Sequence, residues 1–198
     1  MKISLVIPCY TINKDLEELA IRAALSYREQ VDELIITEDS GFYSPELMKL
    51  SDIYIWGKTN IGFTANVNRG WKNAHGDFVM IVNSDTMLLT GNLKDLCIPG
   101  KITSPIIGNQ NIPFLAGPFW CAPSEVTKKY GYLMEEMKTY ASDSEYDARV
   151  RDIFQKVSSV KIYHEQAQTV KAALIQEGEE QHRDREIYQK LKEEGKAR

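Results

Sequence analysis

The sequence is poor in the residues and patterns that mark several large classes of protein. It holds only three cysteines among 198 residues, Cys9, Cys97 and Cys121. Their odd number and wide spacing exclude a disulfide scaffold and predict reduced thiols in a cytoplasmic protein. The longest uninterrupted apolar run, Phe78 to Val82, is far shorter than the roughly 20 residues that a membrane-spanning helix needs. We therefore predict no transmembrane segment.

The net charge and the motifs that are absent disfavour several further classes of function. The 24 basic and 28 acidic residues give a net charge of −4, so no general basic field favours nucleic acid as a partner. No glycine-rich dinucleotide fingerprint follows the first predicted strand, and no Gly-Lys-Ser/Thr loop, Cys-x-x-Cys pair or Gly-x-Ser-x-Gly elbow occurs. The usual forms of dinucleotide binding, P-loop hydrolysis, zinc-knuckle binding and serine hydrolysis are therefore disfavoured.

What the sequence does have, over its first 85 residues, is an alternation of short apolar runs and amphipathic segments. The runs predict strands at residues 3–7, 33–37, 52–56 and 77–83. The amphipathic segments between them predict helices at residues 14–27, 45–50 and 63–74. This alternation predicts an α/β fold, a three-layer sandwich with a mostly parallel central sheet.

The pattern is less regular after Asp85. It predicts further strands at residues 101–107, 114–121 and 158–163, helices at 123–130 and 142–155, and a helical pattern from Gln166 to the end. Residues 176–186 contain no large apolar side chain. We therefore expect a solvated helix there, with a partner-binding tail as the less favoured interpretation.

Polar side chains follow the predicted parallel strands at the points where those strands end. In an open α/β sheet, ligands bind beyond the carboxyl ends of the strands, so these residues are candidates for one site. Each of them could instead cap a loop turn. Together they suit a nucleotide, with an aromatic and an amide group near the base and a carboxylate near a metal ion: Pro8, Cys9, Tyr10, Thr11, Glu38, Asp39, Lys58, Asn60, Asn83, Ser84 and Asp85.

The order of these segments resembles a known enzyme family, the inverting GT-A-fold glycosyltransferases of family 2. The resemblance covers roughly residues 1 to 170. It rests first on the segments Ile3 to Tyr10, Thr37 to Ser40, Asn60 to Gly62, Asn68 to Gly70, Gly76 to Phe78 and Asn83 to Asp85. Three later segments continue it, namely Leu115 to Trp120, Ser142 to Tyr146 and Ile162 to His164.

The resemblance implies a role for each candidate residue. Asp39 would accept a hydrogen bond from the imide N–H of uracil or thymine, and Asp143 would be the general base. Asp85 and His164 would bind Mn²⁺ or Mg²⁺. Asn83 would support the donor sugar or ribose. The other donor-binding positions implied are Pro8, Tyr10, Asn60 and Ser84.

Two departures from the family pattern stand out. The usual Asp-x-Asp is here Asn83-Ser84-Asp85, as in rhamnosyltransferase-like members, so only the last carboxylate remains. The Glu that precedes the implied base is replaced by Ser142.

The resemblance therefore implies a metal-dependent inverting glycosyltransferase that uses a UDP- or dTDP-sugar and a glycan or lipid-linked acceptor. It implies a single GT-A domain over residues 1–170, with a donor half at 1–86, an acceptor half at 87–170 and a charged helical tail at 171–198. Two alternatives stay open. One is a nucleotide-sugar-binding module without transfer activity. The other is a sugar nucleotidyltransferase, which would need a glycine-rich, basic loop in place of residues 9–13.

Overall fold

The structure is a computed structural model that describes residues 1–109, 112–115, 117–165 and 177–195. Its strands are β1 (Ile3–Cys9), β2 (Glu33–Glu38), β3 (Ile53–Trp56), β4 (Phe78–Val82), β5 (Thr86–Thr90), β6 (Ile102–Ile107), β7 (Phe119–Pro123) and β8 (Phe154–His164). Its helices are α1 (Lys14–Arg28), α2 (Pro45–Leu50), α3 (Phe63–Lys72), α4 (Ser124–Tyr130), α5 (Ser142–Val150) and α6 (Glu177–Glu193). Short 3₁₀ turns lie at Leu93–Leu96 and Arg151–Ile153.

The eight strands form one sheet in the order β3-β2-β1-β4-β7-β6-β8-β5. Strands β1 to β4 are parallel to one another, as the alternation of strands and helices predicts. The remaining pairings are mixed, with only β6 and β8 parallel. Four of the seven pairings are thus parallel, and the predicted α/β class with a mostly parallel sheet is confirmed.

Helices cover both faces of this sheet and complete the predicted three layers. Successive side chains of a strand point to opposite faces, so Leu5 and Ile7 of β1 belong to one apolar core, together with Ala20 of α1. Val6 belongs to the core on the other face, with Trp71 of α3. Because both faces are covered, every residue of β1 is buried.

The close approach of α3 to the sheet depends on Gly70. A Cβ at this position would lie 2.4 Å from Cγ1 of Val6 and 3.0 Å from Cγ2 of Thr37, too close for any larger residue. The missing side chain lets α3 lie directly over β1 and β2. The polar residues on the preceding turn of α3 therefore reach the carboxyl ends of these two strands.

The structure has one strand that was not predicted, and two predicted elements have different bounds. The sequence analysis did not predict β5, which starts directly after Asp85. The strand predicted at 114–121 begins only at Phe119, and its residue 116 lies outside the described residues. The helix predicted at 142–155 ends at Val150, because Phe154 and the residues after it pair with β6 as the start of β8. This long-range pairing overrides the local helical pattern.

The C-terminal helical pattern is seen in part. Residues 166–176 and 196–198 lie outside the described residues, and α6 accounts for Glu177–Glu193. This helix is not wholly solvated as expected, because Asp184 is fully buried. None of the helices in the described ranges is long and apolar enough to cross a membrane.

Candidate functional site

A cavity of about 540 Å³ opens at the carboxyl ends of the parallel strands. The loops after β1, β2, β3 and β4 contribute to its wall, as do the start of α5 and the end of β8. The structure brings to this one cavity all nine residues to which the resemblance gives a role: Pro8, Tyr10, Asp39, Asn60, Asn83, Ser84, Asp85, Asp143 and His164. Of the other candidates at the strand ends, Cys9 lines the cavity as well, whereas Thr11, Glu38 and Lys58 do not.

The strand ends beneath the cavity are held by two polar side chains of α3. The Nδ2 atom of Asn66 donates to the carbonyl oxygens of Cys9 and Thr37, at 3.2 and 3.1 Å. The Nη2 atom of Arg69 donates to the carbonyl oxygen of Glu38 at 3.0 Å and to Oδ1 of Asn66 at 2.7 Å. Backbone groups at the ends of β1 and β2 are thus satisfied without water, which fixes the floor of the cavity.

The two acidic residues at the end of β2 have different surroundings. Glu38 is fully buried, and its carboxylate accepts hydrogen bonds from the Thr11 hydroxyl at 2.6 Å and the Ser40 N–H at 2.7 Å. It joins the loops that follow β1 and β2, which is a structural role. Asp39, the next residue, lines the cavity.

Asp39 has an elevated pKa. Its Oδ2 atom accepts a hydrogen bond from the Ile61 N–H at 3.1 Å, and only 3% of its surface is exposed. Burial raises the pKa of this carboxyl to about 6, with a smaller contribution from the negative charge of Glu38. Near neutral pH the cavity therefore holds a buried carboxylate with the capacity to accept hydrogen bonds from a ligand.

Asp85 and His164 meet because β5 pairs with β8. Thr86, directly after Asp85, lies opposite His164 in this antiparallel pair. The Oδ1 atom of Asp85 is 3.3 Å from Nε2 of His164, yet it is buried without a hydrogen-bond partner, and so is Oδ1 of Asn83. A buried polar atom without a partner carries a cost of about 1–3 kcal/mol, which a ligand on this side of the cavity could remove.

These donors fit a divalent cation. Carboxylate and amide oxygens are ligands that Mg²⁺ and Mn²⁺ prefer, and imidazole is a further acceptable ligand for a transition metal such as Mn²⁺. Within the described ranges, no group of three or more His, Cys, Asp or Glu residues could hold a metal ion. A cation at Asp85 and His164 could take further oxygens from groups outside this count, such as Oδ1 of Asn83, water or a bound ligand.

Asp143 occupies the first turn of α5 and faces the cavity. Its oxygens accept hydrogen bonds from the backbone N–H groups of Ser144 at 2.8 Å and Gly117 at 3.0 Å. A Cβ at position 117 would lie 2.9 Å from Oδ2 of Asp143, so glycine permits this contact. Burial raises the pKa of Asp143 above its usual range, and the two N–H groups oppose the rise. A higher pKa makes this carboxylate a stronger base.

The other two acidic residues of α5, Glu145 and Asp147, are committed to structural contacts. Glu145 is buried and forms a two-point ion pair with Arg149, with both N–O distances 2.7 Å. Asp147 accepts a hydrogen bond from the Leu115 N–H at 2.8 Å and pairs with Arg151. Neither lines the cavity. Among the described cavity-lining residues, Asp143 is the one carboxylate that α5 supplies.

Sequence reasoning missed one wall of the cavity. Lys138, Thr139, Tyr140 and Ala141 line it from the loop before α5, and Glu180 lines it from α6. No local pattern identifies these residues, because their placement depends on contacts between segments about 40 residues apart in the chain, such as Thr139 with Glu180.

Comparisons with known proteins show the fold. No protein-family model matches the chain, and no curated protein sequence matches it. Several solved structures do match it. S. aureus TarS is 16% identical over 96% of this chain and 43% of its own, with a TM-score of 0.66. The mannosyltransferase PcManGT from Pyrobaculum calidifontis, solved with GDP-Man and Mn²⁺, is 13% identical over 100% of this chain and 66% of its own, with a TM-score of 0.69.

A third structure gives the same picture. GalNAc-T7, solved with UDP, GalNAc and Mn²⁺, is 11% identical over 83% of this chain and 44% of its own, with a TM-score of 0.68. The chain thus spans between about two fifths and two thirds of the length of these three structures. It has the GT-A fold of these glycosyltransferase structures.

The elevated pKa of Asp39 predicts a pH-dependent effect on stability. Because the pKa is higher in the folded state than in the unfolded chain, protonated Asp39 stabilises the fold below about pH 4, and this contribution is lost as pH rises through about 6. We expect Asp39→Asn to be more stable than the unchanged protein at pH 8, by roughly 1–3 kcal/mol. The difference should shrink towards pH 4.

Urea unfolding at pH 4.5, 6 and 8 measures this difference. Asp15→Asn, which removes an exposed carboxylate from α1, controls for the loss of one charge. An Asp39→Asn variant that is less stable at pH 8 than the unchanged protein would contradict the assignment of a destabilising buried charge.

Proposed function

We propose that the chain is a metal-dependent inverting glycosyltransferase that moves a sugar from a UDP- or dTDP-sugar to a hydroxyl of a glycan or lipid-linked acceptor. The observation that carries the proposal is the joint presence, in one cavity, of a buried carboxylate at Asp39, the Asp85–His164 pair and a base candidate at Asp143. The GT-A fold supports it, since this fold is shared with the glycosyltransferases described above.

The nucleotide is proposed to bind over β1 and β2. Asp39 accepts a hydrogen bond from the imide N–H of uracil or thymine, with Pro8, Tyr10 and Asn60 around the base and ribose. Asn83 and Ser84 lie towards the donor sugar. The fold relatives differ in their nucleotides, because TarS has been solved with UDP-GlcNAc and PcManGT with GDP-Man. The choice of base is therefore a property of the site and not of the fold.

Asp85 and His164 are the proposed protein ligands of Mn²⁺ or Mg²⁺. Two of the three fold relatives described above were solved with Mn²⁺, and the unpartnered Oδ1 atom of Asp85 offers a ligand oxygen. When bound, the cation offsets the negative charge that develops on the leaving diphosphate. Asn83 stands where an Asp-x-Asp motif has its first carboxylate, which is the basis for proposing a rhamnosyltransferase-like variant of family 2.

Asp143 is the proposed general base of the chemical step. The acceptor hydroxyl loses its proton to the Asp143 carboxylate while its oxygen forms a bond to the anomeric carbon of the donor. The bond from that carbon to the diphosphate oxygen breaks, and its electron pair leaves with the nucleoside diphosphate. Attack from the face opposite the leaving group inverts the configuration of the sugar. The elevated pKa of Asp143 favours proton removal.

One observation favours a second candidate, a nucleotide-sugar-binding module without transfer activity. With Asn83 in the motif, the protein supplies only one carboxylate and one imidazole to the cation. A weaker metal site could bind a nucleotide sugar without activating it. Release of UDP from a UDP-sugar in the presence of Mn²⁺ separates this candidate from the enzyme.

The first prediction concerns the nucleotide. UDP should bind at least ten-fold more tightly than ADP, because adenine has no imide N–H and would leave the buried Asp39 unsatisfied, at a cost of about 1–3 kcal/mol. GDP is the decisive competitor, because the guanine N1–H could also donate to a carboxylate.

The pH dependence of binding is a further test of Asp39. UDP binding should weaken below about pH 6, as Asp39 becomes protonated. Calorimetry in the presence of Mn²⁺ measures all of these, and equal or tighter binding of GDP would sink the uracil or thymine assignment.

The second prediction concerns the metal. Asp85→Ala should remove most of the Mn²⁺-dependent binding of UDP, and His164→Ala should weaken it less. The fold should tolerate Asp85→Ala, because Oδ1 makes no hydrogen bond that the change would break. Calorimetry with Mn²⁺ or EDTA, together with thermal unfolding, tests both effects, and Asp15→Ala is the control. Normal UDP binding by Asp85→Ala would show that the metal assignment is wrong.

The third prediction concerns the chemical step. Asp143→Asn should bind UDP nearly as well as the unchanged protein, while kcat falls by about 10²–10⁴, the usual contribution of a positioned acid or base. Glu145→Gln should show the opposite pattern, a lower Tm with kcat retained, because Glu145 is tied to Arg149. The anomeric proton coupling of the product reports its configuration. A fully active Asp143→Asn or a retained configuration would contradict the mechanism.

A further inference from the structure

A buried carboxylate, that of Asp184, joins helix α6 to the loop before α5. Asp184 is fully buried, although the helix around it is rich in charge. Its two oxygens accept hydrogen bonds from three consecutive backbone N–H groups, those of Lys138 at 3.2 Å, Thr139 at 2.8 Å and Tyr140 at 2.9 Å. Hydrogen bonds to a carboxylate are stronger than those between neutral groups, so Asp184 fixes the backbone of this loop.

The loop that Asp184 holds is part of the cavity wall and leads directly to α5. Its other side is fixed as well, since the Thr64 N–H donates to the Lys138 carbonyl oxygen at 3.0 Å. Ala141, next in the chain, has a φ of 60°, a left-handed conformation that is unfavourable for a residue with a side chain. Such a conformation persists only where the surroundings determine it. Asp143 follows two residues later, so α6 acts on the position of the proposed base.

A second carboxylate of α6 reaches the cavity itself. Glu180 precedes Asp184 by four residues, about one helical turn, so the two side chains share a face of α6. Its Oε2 atom accepts a hydrogen bond from the Thr139 hydroxyl at 3.1 Å, and the half-buried side chain lines the cavity together with Asp143.

We propose that α6 is the acceptor-binding wall of the site, with Asp184 as a positioning residue and Glu180 as a specificity-determining residue for an uncharged sugar acceptor. This inference rests on the proposed function, because the acceptor must lie beside the base, Asp143. A carboxylate only accepts hydrogen bonds, so Glu180 suits the hydroxyl groups of a neutral sugar. Together with Asp143, it repels a carboxylate or phosphate on the acceptor, since like charges placed together cost several kcal/mol.

Steady-state kinetics with defined acceptors tests the role of Glu180. The probes are a panel of neutral methyl glycosides and methyl glucuronide as the anionic acceptor, with the UDP-sugar that the unchanged protein turns over. Glu180→Gln should raise KM for the preferred neutral glycoside at least ten-fold, leave the Kd of UDP within two-fold and reduce the discrimination against methyl glucuronide. Glu179→Gln, an exposed neighbour on α6, should change none of these. A Glu180→Gln variant with an unchanged KM and unchanged discrimination would overturn this role.

Amide hydrogen exchange tests the role of Asp184 without any acceptor. The N–H groups of residues 138–140 should exchange at least ten-fold faster in Asp184→Ala. In a separate assay with the neutral glycoside as acceptor, kcat should fall while the Kd of UDP stays within two-fold. Asp184→Asn keeps one acceptor oxygen, so its exchange rates should lie between those of the unchanged protein and those of Asp184→Ala. It replaces the alanine variant in the test if that variant does not fold. Exchange rates that are unchanged in both variants would overturn the positioning role.

The two proposals fail in different ways. If the unchanged protein shows no Mn²⁺-dependent binding of UDP, the proposed function fails and the acceptor role of Glu180 fails with it. The exchange rates of residues 138–140 still decide whether Asp184 holds the loop. If UDP binds and sugar is transferred, the KM values alone decide the role of Glu180.

Discussion

The whole site depends on how the carboxyl ends of β1 and β2 are completed inside the protein. The amide of Asn66 donates to two carbonyl oxygens there, those of Cys9 and Thr37, and the Asp39 N–H is a second donor to the Cys9 oxygen at 3.3 Å. A buried carbonyl group left without any partner would cost about 1–3 kcal/mol. Asn66 reaches the two oxygens because Gly70, on the next turn of α3, allows the helix to lie against the sheet. The hydrogen bonds of Asn66 thus separate the apolar core of the protein from the cavity at the carboxyl ends of β1 and β2.

Several residues that line the cavity above this floor have features that are unfavourable for the stability of the fold. Asp39 is nearly buried and has its pKa raised by that burial. Asp85 keeps an oxygen without a hydrogen-bond partner, and Ala141 holds a left-handed backbone conformation. Unfavourable features concentrated in one cavity are typical of sites that bind or transform a ligand. Glu38, directly before Asp39, accepts hydrogen bonds from Thr11 and Ser40, and Glu145 and Asp147 of α5 pair with Arg149 and Arg151, so these three carboxylates are committed to structural contacts.

The sequence was most informative where structure is decided locally. The first four strands and the helices between them follow from short apolar runs and amphipathic segments, and the rule that ligands bind at carboxyl ends led directly to Asp39, Asn60 and Asp85. Asp143 and His164 came from the order of segments in a resembling family, and both line the same cavity. Their chemical roles, general base for Asp143 and metal ligand for His164, are proposals.

The elements that sequence reasoning missed are those whose structure is decided at a distance. Strand β5 exists because it pairs with β8, and α5 ends where Phe154 joins β6. Likewise, nothing around Asp184 in the sequence indicates that it meets the backbone of residues 138–140. An acidic residue in a polar helix is usually solvated, and only the folded chain identifies this one as buried.

We propose that the cavity binds a nucleoside diphosphate, with a divalent cation at Asp85 and His164 and the nucleobase at Asp39. A crystal structure of the protein with UDP and Mn²⁺, with anomalous diffraction data for manganese, tests it most directly. We expect a manganese peak in contact with Asp85 Oδ1, His164 Nε2 and diphosphate oxygens, and the uracil imide N–H donating to Asp39. A nucleotide bound outside this cavity, or bound in it with the uracil at Asp85 and the diphosphate at Asp39, would show that the proposed site is wrong.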